Sequence, residues 1–347
     1  MRKMIDPVSF LQEMVRVYSP TGQEGELAGL LVSRMQELGL RAYLDEVGNA
    51  VGELGEGRRT LMLLGHMDTV SGYIPVRLEE GRLYGRGAVD AKGPLAAFIM
   101  AAARQGPPAD CRLIIVGAVE EEGCSRGAHH LVPRYRPDAV IIGEPSGWEH
   151  ITLGYKGTLS VHYRLRRPRG HTAGQGETPA ECAVAFWNAV VGYASAWNAG
   201  KERQFDMLTP TLVSICTDSD GFQEQVEMYI NLRWPLGVDI EEVRAWMEER
   251  AAPAELTFGT CEPPYRADKN TPLVRAFLQG IRAVGGTPRF KLKTGTSDMN
   301  VVGPAWGCPI AAYGPGDSNL DHTPEEHILI EDYLRAIAVL EQVLARW

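Results

Sequence analysis

The sequence predicts an α/β protein with two domains, one inserted into the other. Apolar strands alternate with helical segments up to about residue 150, which is typical of a mainly parallel sheet. Near residue 155 the order changes to β-α-β-β-α-β, the order of a split βαβ (ferredoxin-like) sandwich, and helices return from about 267. The 347 residues also exceed what one small core needs. We therefore predict a main domain over 1–154 and 267–347 and an inserted α+β domain over 155–266.

The first part of the chain predicts two helices followed by a series of strands. The helices are predicted over residues 7–18 and 24–38, and in the second of them leucines recur at helical spacing. A third helix, 94–104, consists of small and apolar residues. The predicted strands are LRAYLDEV (40–47), NAVGEL (49–54), TLMLLGH (60–66), CRLIIVGAVE (111–120) and DAVIIGEPS (138–146).

The inserted domain is predicted from alternating strand patterns and two helices. Its strands are TLSVHYRLRR (158–167), TLVSICTD (211–218), QVEMYINLRWPL (225–236) and AELTF (254–258), and its helices are 179–197 and 239–250. A helix (272–284), a strand in PIAAYG (309–314) and a last helix (325–346) follow. For that last helix, Thr323 is the predicted N-cap, with Pro324 at the first helical position and Glu326 three residues after the cap.

Composition excludes several classes of protein. The formal net charge of -9 argues against a general nucleic-acid-binding protein, because such proteins carry excess basic residues. The longest apolar stretch, PLAAFIMAAA (94–103), is too short to span a bilayer, and MRKMIDPVSF lacks the apolar segment of a signal peptide. The six cysteines form no CxxC pair, which favours buried thiols over a disulfide framework. We expect a cytoplasmic protein that binds neither nucleic acid nor membranes.

Polar side chains follow several predicted strands at the point where each strand ends. In an open parallel sheet, ligands bind beyond the carboxyl ends of the strands. Carboxylates that converge there repel one another unless a cation is present. Histidine with carboxylate, without cysteine, suits zinc, manganese or cobalt in a catalytic site. The residues that predict such a metal centre are His66, Asp68, Asp90, Glu120, Glu121, Glu122, Glu144 and His322.

The charges in this set favour two ions. Asp90, Glu122 and Glu144, with a bridging hydroxide, would balance two divalent cations, and Glu121 would remain available as a base. Each feature alone has a simpler interpretation. An HxD sequence is often a polar loop, three glutamates are often a solvated face, and Glu144 or His322 can belong to a helix cap. Asp90 can be a favourable carboxylate at a helix N-terminus. Their joint placement favours the metal centre.

Seven motifs resemble those of the M20 metallopeptidase family, in the same order and over essentially the whole chain. The family includes acetylornithine deacetylase, succinyl-diaminopimelate desuccinylase and glutamate-releasing carboxypeptidases. The resemblance implies an amidohydrolase with two divalent ions in the main domain, and a lid and dimerisation domain over 155–266. The motifs are HMDTV (66–70), GRGAVDAKG (85–93), EEGCSRGA (121–128), IIGEPS (141–146), RGHTAG (169–174), GTSD (295–298) and PGDSNLDH (315–322).

The resemblance implies a ligand set. His66 and Glu144 would bind one ion, Glu122 and His322 would bind the other, and Asp90 would bridge them. The expected ions are Zn²⁺, with Co²⁺ and Mn²⁺ as alternatives.

The resemblance also implies roles beside the ligands. Asp68 would orient His66, consistent with residues i and i+2 of a strand facing the same side. Glu121 would be the general base and later the proton donor. His171, in the lid, would reach the active site of the partner subunit of a homodimer and stabilise the oxyanion. Glu120 is left as a structural or surface residue, and Cys124 is predicted to be a buried thiol rather than a ligand.

Within the family, the sequence most resembles hydrolases of lysine and arginine biosynthesis that release lysine or ornithine from the C-terminal glutamate of a small acidic carrier protein. RFKLKTGTSD (289–298) places Arg289, Lys291 and Lys293 just before a loop predicted to face the site. On a chain of net charge -9 this basic strip predicts a docking surface for an acidic protein. A solvated strand edge is the alternative, because lysines blunt edges.

Four polar residues are predicted to bind substrate: Asn231 and Arg233, which alternate along INLRWP, and Thr296 and Ser297. Arginine suits planar, bidentate recognition of a carboxylate. A second hypothesis is a small-molecule deacylase with the same mechanism, acting on acetylornithine or succinyl-diaminopimelate. A third, a catalytically inactive binding protein, is disfavoured by the complete ligand set and by Glu121.

Overall fold

The chain forms two units that alternate along the sequence. The computed structural model describes residues 5–171, 174 and 176–347. The first unit contains the described residues up to Gly154, together with Arg266–Leu292 and Ser297–Trp347. The second unit contains those of Tyr155–Tyr265 and the short segment Lys293–Thr296.

The first part of the first unit has the predicted alternation of strands and helices. Its central strands are nearly continuous apolar runs, as strands covered on both faces require. Sequence reasoning missed three short or weakly patterned strands, β4, β5 and β8. The elements are α1 (Pro7–Arg16), α2 (Gly25–Glu37), β1 (Arg41–Leu44), β2 (Ala50–Leu54), β3 (Arg59–His66), β4 (Arg77–Glu79), β5 (Arg82–Tyr84), α3 (Lys92–Gln105), β6 (Cys111–Ala118), α4 (Arg126–Leu131), β7 (Ala139–Gly143) and β8 (His150–Tyr155).

The elements of the second unit follow one another in the order β-α-β-β-α-β. They are β9 (Gly157–Pro168), α5 (Pro179–Asn198), β10 (Thr209–Ser219), β11 (Gln223–Trp234), α6 (Ile240–Ala251) and β12 (Glu255–Glu262). The antiparallel sheet has the order β10-β11-β9-β12. Tyr163 on its apolar face stacks on Phe186 of α5 with ring centroids 5.1 Å apart. A capping box starts α5, because Thr178 Oγ1 accepts from Glu181 N and Glu181 Oε2 accepts from Thr178 N.

The remaining elements lie in the first unit, except for their residues Tyr265 and Lys293, which belong to the second. They are β13 (Tyr265–Arg266), α7 (Pro272–Ala283), β14 (Arg289–Lys293), α8 (Asp298–Trp306), β15 (Ile310–Ala312), β16 (His327–Leu329) and α9 (Ile330–Leu344). Helix α8 was not predicted, and Pro304 lies inside it. Among the described residues, no helix combines the length and the apolar character needed to cross a bilayer.

A nine-stranded sheet is the largest sheet among the described residues. Its order is β1-β2-β6-β3-β7-β15-β8-β13, and β14 pairs with β8. The strands β6, β3, β7 and β15 are parallel, whereas β1, β2 and β8 are antiparallel to neighbours. The mixed α/β fold with a parallel centre is therefore confirmed. Helix α3 is buried along nearly its whole length.

The predicted start of the last helix is wrong. Helix α9 begins at Ile330, and the residues before it form β16, which pairs antiparallel with β5. Ile328 lies opposite Leu83 in this pair, and both are fully buried. Glu326 also turns inward, with 1% of its surface exposed. Burial of this segment outweighs the local capping signal, since propensity is a weak constraint beside tertiary packing.

The predicted burial of the cysteines is wrong for most of them. All six are free thiols: Cys111 is buried, Cys182 and Cys308 are intermediate, and Cys124, Cys216 and Cys261 are exposed. Cys216 on β10 and Cys261 on β12 lie on the exposed faces of their strands.

Candidate metal centre

Three neighbouring parallel strands end at one edge of the central sheet. Strand β3 lies between β6 and β7, and its last residue is His66. The loop after β6 contains Glu121 and Glu122, and Glu144 directly follows β7. Because the carboxyl ends of parallel strands meet at the same edge, the fold brings these polar side chains together.

His66 lies at the centre of this cluster, and its side chain is 1% exposed. Its Nε2 atom lies 3.2 Å from Asp90 Oδ1. Glu144 Oε1 and Glu121 Oε2 lie at 3.9 and 4.0 Å from the same nitrogen. The other ring nitrogen, Nδ1, lies 2.9 Å from the carbonyl oxygen of Asp68. An imidazole held through Nδ1 presents Nε2 to the carboxylates, as a metal-ligating histidine does.

The Asp68 carboxylate is fully buried and holds the loop after β6. Its Oδ1 accepts a hydrogen bond from Glu121 N and its Oδ2 accepts one from Glu122 N, both at 3.0 Å. Thr21 Oγ1 also donates to Oδ2, at 2.9 Å. Burial raises the pKa of Asp68, but interaction with His66 and these hydrogen bonds lowers it by more. The net pKa is therefore below its usual value. Asp68 thus contacts both the histidine and the backbone of two glutamates.

Asp90 lies between two histidines. Its Oδ1 is 3.2 Å from His66 Nε2, and its Oδ2 is 3.2 Å from His322 Nε2. The same His322 nitrogen lies 2.9 Å from Glu122 Oε1. Asp90 thus directs one carboxylate oxygen towards each of the two imidazoles.

Burial and the proximity of other charged groups shift the pKa values of the acidic side chains and of His322. Burial raises the pKa of Glu121 well above its usual value, and neighbouring carboxylates raise it further against the opposing effect of His66. Burial also raises the pKa of Glu122. Hydrogen bonds with Asp90 and Glu122 raise the pKa of His322 to about 10. Burial and the crowding of like charges therefore disfavour the fully ionised cluster, and a bound cation would relieve that repulsion.

The donor atoms fit a cation. Within the described part of the chain, two groups of three residues have potential ligand atoms within 4.8 Å of one another: His66, Asp90 and Glu122, and His66, Glu121 and Glu144. All these donors are imidazole nitrogens or carboxylate oxygens, the combination that suits zinc, cobalt or manganese. Glu121 belongs to the second group, so its carboxylate lies close to the potential ligand atoms of His66 and Glu144.

Sequence reasoning missed one acidic residue near this cluster. Asp298, in the GTSD motif, is 2% exposed, and burial raises its pKa to about 7. Its charge also contributes to the raised pKa of Glu121. The signal in the sequence was an aspartate between an N-cap serine and an apolar helix, a position that more often marks only a favourable helix start.

Glu120 and Cys124 lie at the edge of the site. Glu120 forms an ion pair with Arg126 at 2.8 Å. The prediction that Cys124 is buried is wrong, because its side chain is exposed, with Sγ 3.4 Å from Glu120 Oε2. The loop that carries it is held by backbone hydrogen bonds rather than by packing of the thiol.

The residues predicted to bind substrate contact their neighbours. In the second unit, Asn231 Nδ2 donates to Thr158 Oγ1 at 2.9 Å, and Arg233 Nη1 donates to Thr296 Oγ1 at 2.7 Å. Ser297, in the first unit, is the buried N-cap of α8 and accepts a hydrogen bond from the backbone of that helix. Its hydroxyl therefore fixes the start of α8.

His171 belongs to the second unit and is exposed. It follows β9 and precedes α5, and its carbonyl oxygen accepts a hydrogen bond from Gly174 N at 2.7 Å. Residues 172, 173 and 175, which include part of the RGHTAG motif, lie outside the described residues. An exposed position is what contact with another subunit requires.

A cavity of about 560 Å³ lies in the second unit, lined in part by Lys156 and Arg233. Lys156 is 1% exposed, and its Nζ donates to Thr209 Oγ1 at 2.9 Å. Burial, together with the nearby Arg233, lowers the pKa of Lys156 to about 8. Two cations beside one cavity favour an anionic ligand. Sequence reasoning missed Lys156 because lysine is rarely buried.

Comparison with known proteins identifies the class. Residues 62–346 match the sequence profile of peptidase family M20/M25/M40, so the chain belongs to this family and is a hydrolase. The LysW-lysine hydrolase of Deinococcus radiodurans is 44% identical in an alignment of 346 positions that covers 97% of this chain and 95% of that one. A relative from Thermococcus kodakarensis, provisionally named a LysW-lysine/LysW-ornithine hydrolase, is 43% identical over 98% of this chain and 91% of its own.

A solved structure shows the same fold. The M20 family metallo-carboxypeptidase Sso-CP2 from Sulfolobus solfataricus superimposes with a TM-score of 0.77 over 98% of this chain and 99% of that one. The two sequences are 20% identical, so this likeness supports the fold alone.

Proposed function

We propose that the chain hydrolyses the amide bond between lysine, or ornithine, and the C-terminal glutamate of a small acidic amino-group carrier protein. The observation that carries this proposal is the 44% identity, over nearly the whole chain, to a hydrolase named for LysW-lysine. The histidines and carboxylates at the strand ends supply the chemistry that amide hydrolysis needs.

Two divalent ions would be held by these side chains. We assign His66 and Glu144 to one ion and Glu122 and His322 to the other, with Asp90 shared, because its two oxygens face the two imidazoles at 3.2 Å each. Zn²⁺ is the proposed ion, and Co²⁺ and Mn²⁺ suit the same donors. Such ions lower the pKa of bound water and polarise a carbonyl group.

Glu121 is the proposed general base. Its carboxylate takes the proton of the attacking water and later delivers it to the leaving amine nitrogen. Burial beside other carboxylates raises its pKa, which favours holding that proton between the two transfers. The hydrogen bond from Glu121 N to Asp68 Oδ1 fixes the loop that carries it.

The cavity beside Lys156 and Arg233 is the proposed site for a substrate carboxylate. Arg233 is held by Thr296, and Asn231 is held by Thr158, so both polar side chains have defined positions. Ser297 would contribute through the position of α8 rather than through a contact of its own. This arrangement suits an amino acid, whose α-carboxylate stays negatively charged at neutral pH.

Strand β14 is the proposed docking surface for the carrier. Its basic strip consists of Arg289, Lys291 and Lys293, and Arg289 is exposed. Lys291 Nζ donates to the carbonyl oxygen of Ser146 at 2.7 Å, which ties the strip to the loop that follows Glu144. A basic strip on a chain of net charge -9 attracts an acidic partner selectively.

We further propose that the protein is a cytoplasmic homodimer whose second unit is both a lid and the dimer contact. Exposed apolar side chains on and beside β10, including Val213 and Phe222, support an association surface in that unit. Six free thiols fit a reducing compartment.

The test of the function is amine release by the protein reconstituted with Zn²⁺ or Co²⁺. Substrates would be an acidic carrier ending in glutamyl-lysine, the same carrier ending in glutamyl-ornithine, acetylornithine and succinyl-diaminopimelate. We expect release from the carriers and little from the free acylated amino acids. Release from a free acylated amino acid with both carriers untouched would overturn the carrier-protein assignment and leave a small-molecule deacylase.

A further inference from the structure

The Glu326 carboxylate is engaged entirely by the loop that carries Asp90. Its Oε1 accepts hydrogen bonds from Val89 N at 3.0 Å and from Asp90 N at 3.2 Å. Its Oε2 accepts from Arg86 Nη1 at 2.8 Å. Both oxygens of this buried carboxylate therefore accept hydrogen bonds.

Arg86 extends the same network to the loop that carries His322. Its side chain is buried, and its Nη1 also donates to the carbonyl oxygen of Thr323, the residue that follows His322, at 3.2 Å. Its Nε donates to the carbonyl oxygen of Gly72 at 3.0 Å. His322 has φ +63°, a left-handed conformation that is uncommon for a residue other than glycine.

We propose that Arg86 and Glu326 are positioning residues that set the separation of Asp90 and His322. The proposal rests on the metal centre described above, since Asp90 and His322 are two of its assigned ligands. Neither residue is assigned to an ion or to substrate. They act through the backbone, Glu326 on the N–H of Asp90 and Arg86 on the carbonyl that follows His322.

A purely structural role explains the pair less well. The two segments are already joined by pairing of β5 with β16 and by the hydrogen bond from Gly85 N to the Glu326 carbonyl. A buried ion pair costs desolvation energy, so apolar side chains of similar size often stabilise a fold as well or better. What apolar side chains cannot supply is a fixed acceptor for Asp90 N and a fixed donor for the carbonyl of Thr323.

The test uses the full-length protein, with Co²⁺ as the probe because its visible absorption reports the coordination geometry. The variants are Glu326→Gln, Glu326→Ala and Arg86→Lys. The matched controls are Glu325→Gln, an exposed neighbour of Glu326, and Arg82→Lys, a partly exposed arginine on β5. We expect Glu326→Ala and Arg86→Lys to bind Co²⁺ about 10- to 100-fold more weakly, with altered absorption. Glu326→Gln keeps the Oε1 acceptor and should lose less, and the controls should match the wild type.

A second measurement covers any variant whose fold is disturbed. Amide hydrogen exchange of the metal-free protein is followed in peptides that contain residues 87–91 and 319–325. We expect faster exchange in both loops for Glu326→Ala and Arg86→Lys, a smaller increase for Glu326→Gln, and no change for the controls. Unchanged exchange with unchanged Co²⁺ affinity and spectrum would overturn the positioning role of Arg86 and Glu326. A wild-type protein that binds no Co²⁺ would instead overturn the metal centre itself.

Discussion

At the scale of the residue, three consecutive glutamates have three different environments. Glu120 points to Arg126 at the edge of the site, with a 2.8 Å ion pair. Glu121 faces the buried His66, and Glu122 faces His322. The backbone N–H groups of the last two bind the two oxygens of Asp68, which fixes the direction of each side chain. One acidic run therefore supplies a surface charge, a proposed base and a proposed ligand.

Neutralising each glutamate in turn separates these roles. We expect Glu121→Gln to lower kcat by about 10²- to 10⁴-fold while bound metal is retained, since only proton transfer is lost. Glu122→Gln should lose metal, because a carboxylate donor becomes a weaker amide. Glu120→Gln should change kcat by less than about twofold, as expected when only a surface ion pair is lost. The measurements are kcat for amine release and metal content by elemental analysis. Loss of metal in Glu121→Gln with retention in Glu122→Gln would reverse the two assignments.

The buried lysine predicts a pH dependence of substrate binding. The pKa of Lys156 is lowered from 10.5 to about 8, so its positive charge is lost as the pH rises through about 8 rather than above 10. An anionic substrate should then bind more weakly, and KM should rise above pH 8 in the wild type. In Lys156→Arg, which stays charged, this rise should disappear, and in Lys156→Met KM should be high at every pH. A wild-type KM that stays flat through pH 8 would exclude Lys156 from carboxylate binding.

At the scale of the element, the sequence is informative where one pattern dominates. Strands β3 and β6 were predictable because buried parallel strands are nearly continuous apolar runs. The segment 323–329 was not, because a good local capping box competes with pairing of β16 to β5 and with burial of Glu326. Short strands such as β4, and the nine-residue helix α8 with Pro304 inside it, have too weak a sequence pattern to be predicted locally. Residues whose partners are distant in sequence, such as Lys156 with Thr209, can be recognised only once the fold is known.

Strand β14 offers a test of carrier docking. We expect Lys291→Glu with Lys293→Glu to raise KM for the carrier by about tenfold or more, because like charges then repel, and to leave small acylated amino acids nearly unchanged. The control is Lys269→Glu with Arg282→Glu, exposed positions that change the net charge equally. The effect should shrink at high ionic strength. An equal loss on carrier and small substrates would contradict docking and point instead to disturbance of the loop held by Lys291.

At the scale of the whole molecule, the assigned roles are divided between two units. The proposed metal ligands and Glu121 all belong to the first unit, whereas Lys156, Arg233 and His171 belong to the second. The sequence predicts an inserted domain over 155–266 from the change of pattern near residue 155. It carried no sign that Lys293–Thr296 would join the second unit, because a four-residue segment has no periodicity of its own. Whether the second unit acts within its own chain or on another subunit is a question about the oligomer.

Subunit complementation answers that question for His171. Glu121→Gln and His171→Ala should each be nearly inactive alone. If His171 acts on the partner subunit, mixed dimers pair an intact Glu121 in one chain with an intact His171 in the other. An equal mixture, after subunit exchange, should then regain about a quarter of wild-type activity, since half the dimers are mixed and one of their two sites is complete. A mixture of Glu121→Gln with Glu122→Gln is the control and should regain none. Each of these changes disables the metal centre of its own chain, so both sites of a mixed dimer are defective. No recovery in the first mixture, with mixed dimers detected by mass spectrometry, would assign His171 to its own subunit or to no catalytic role.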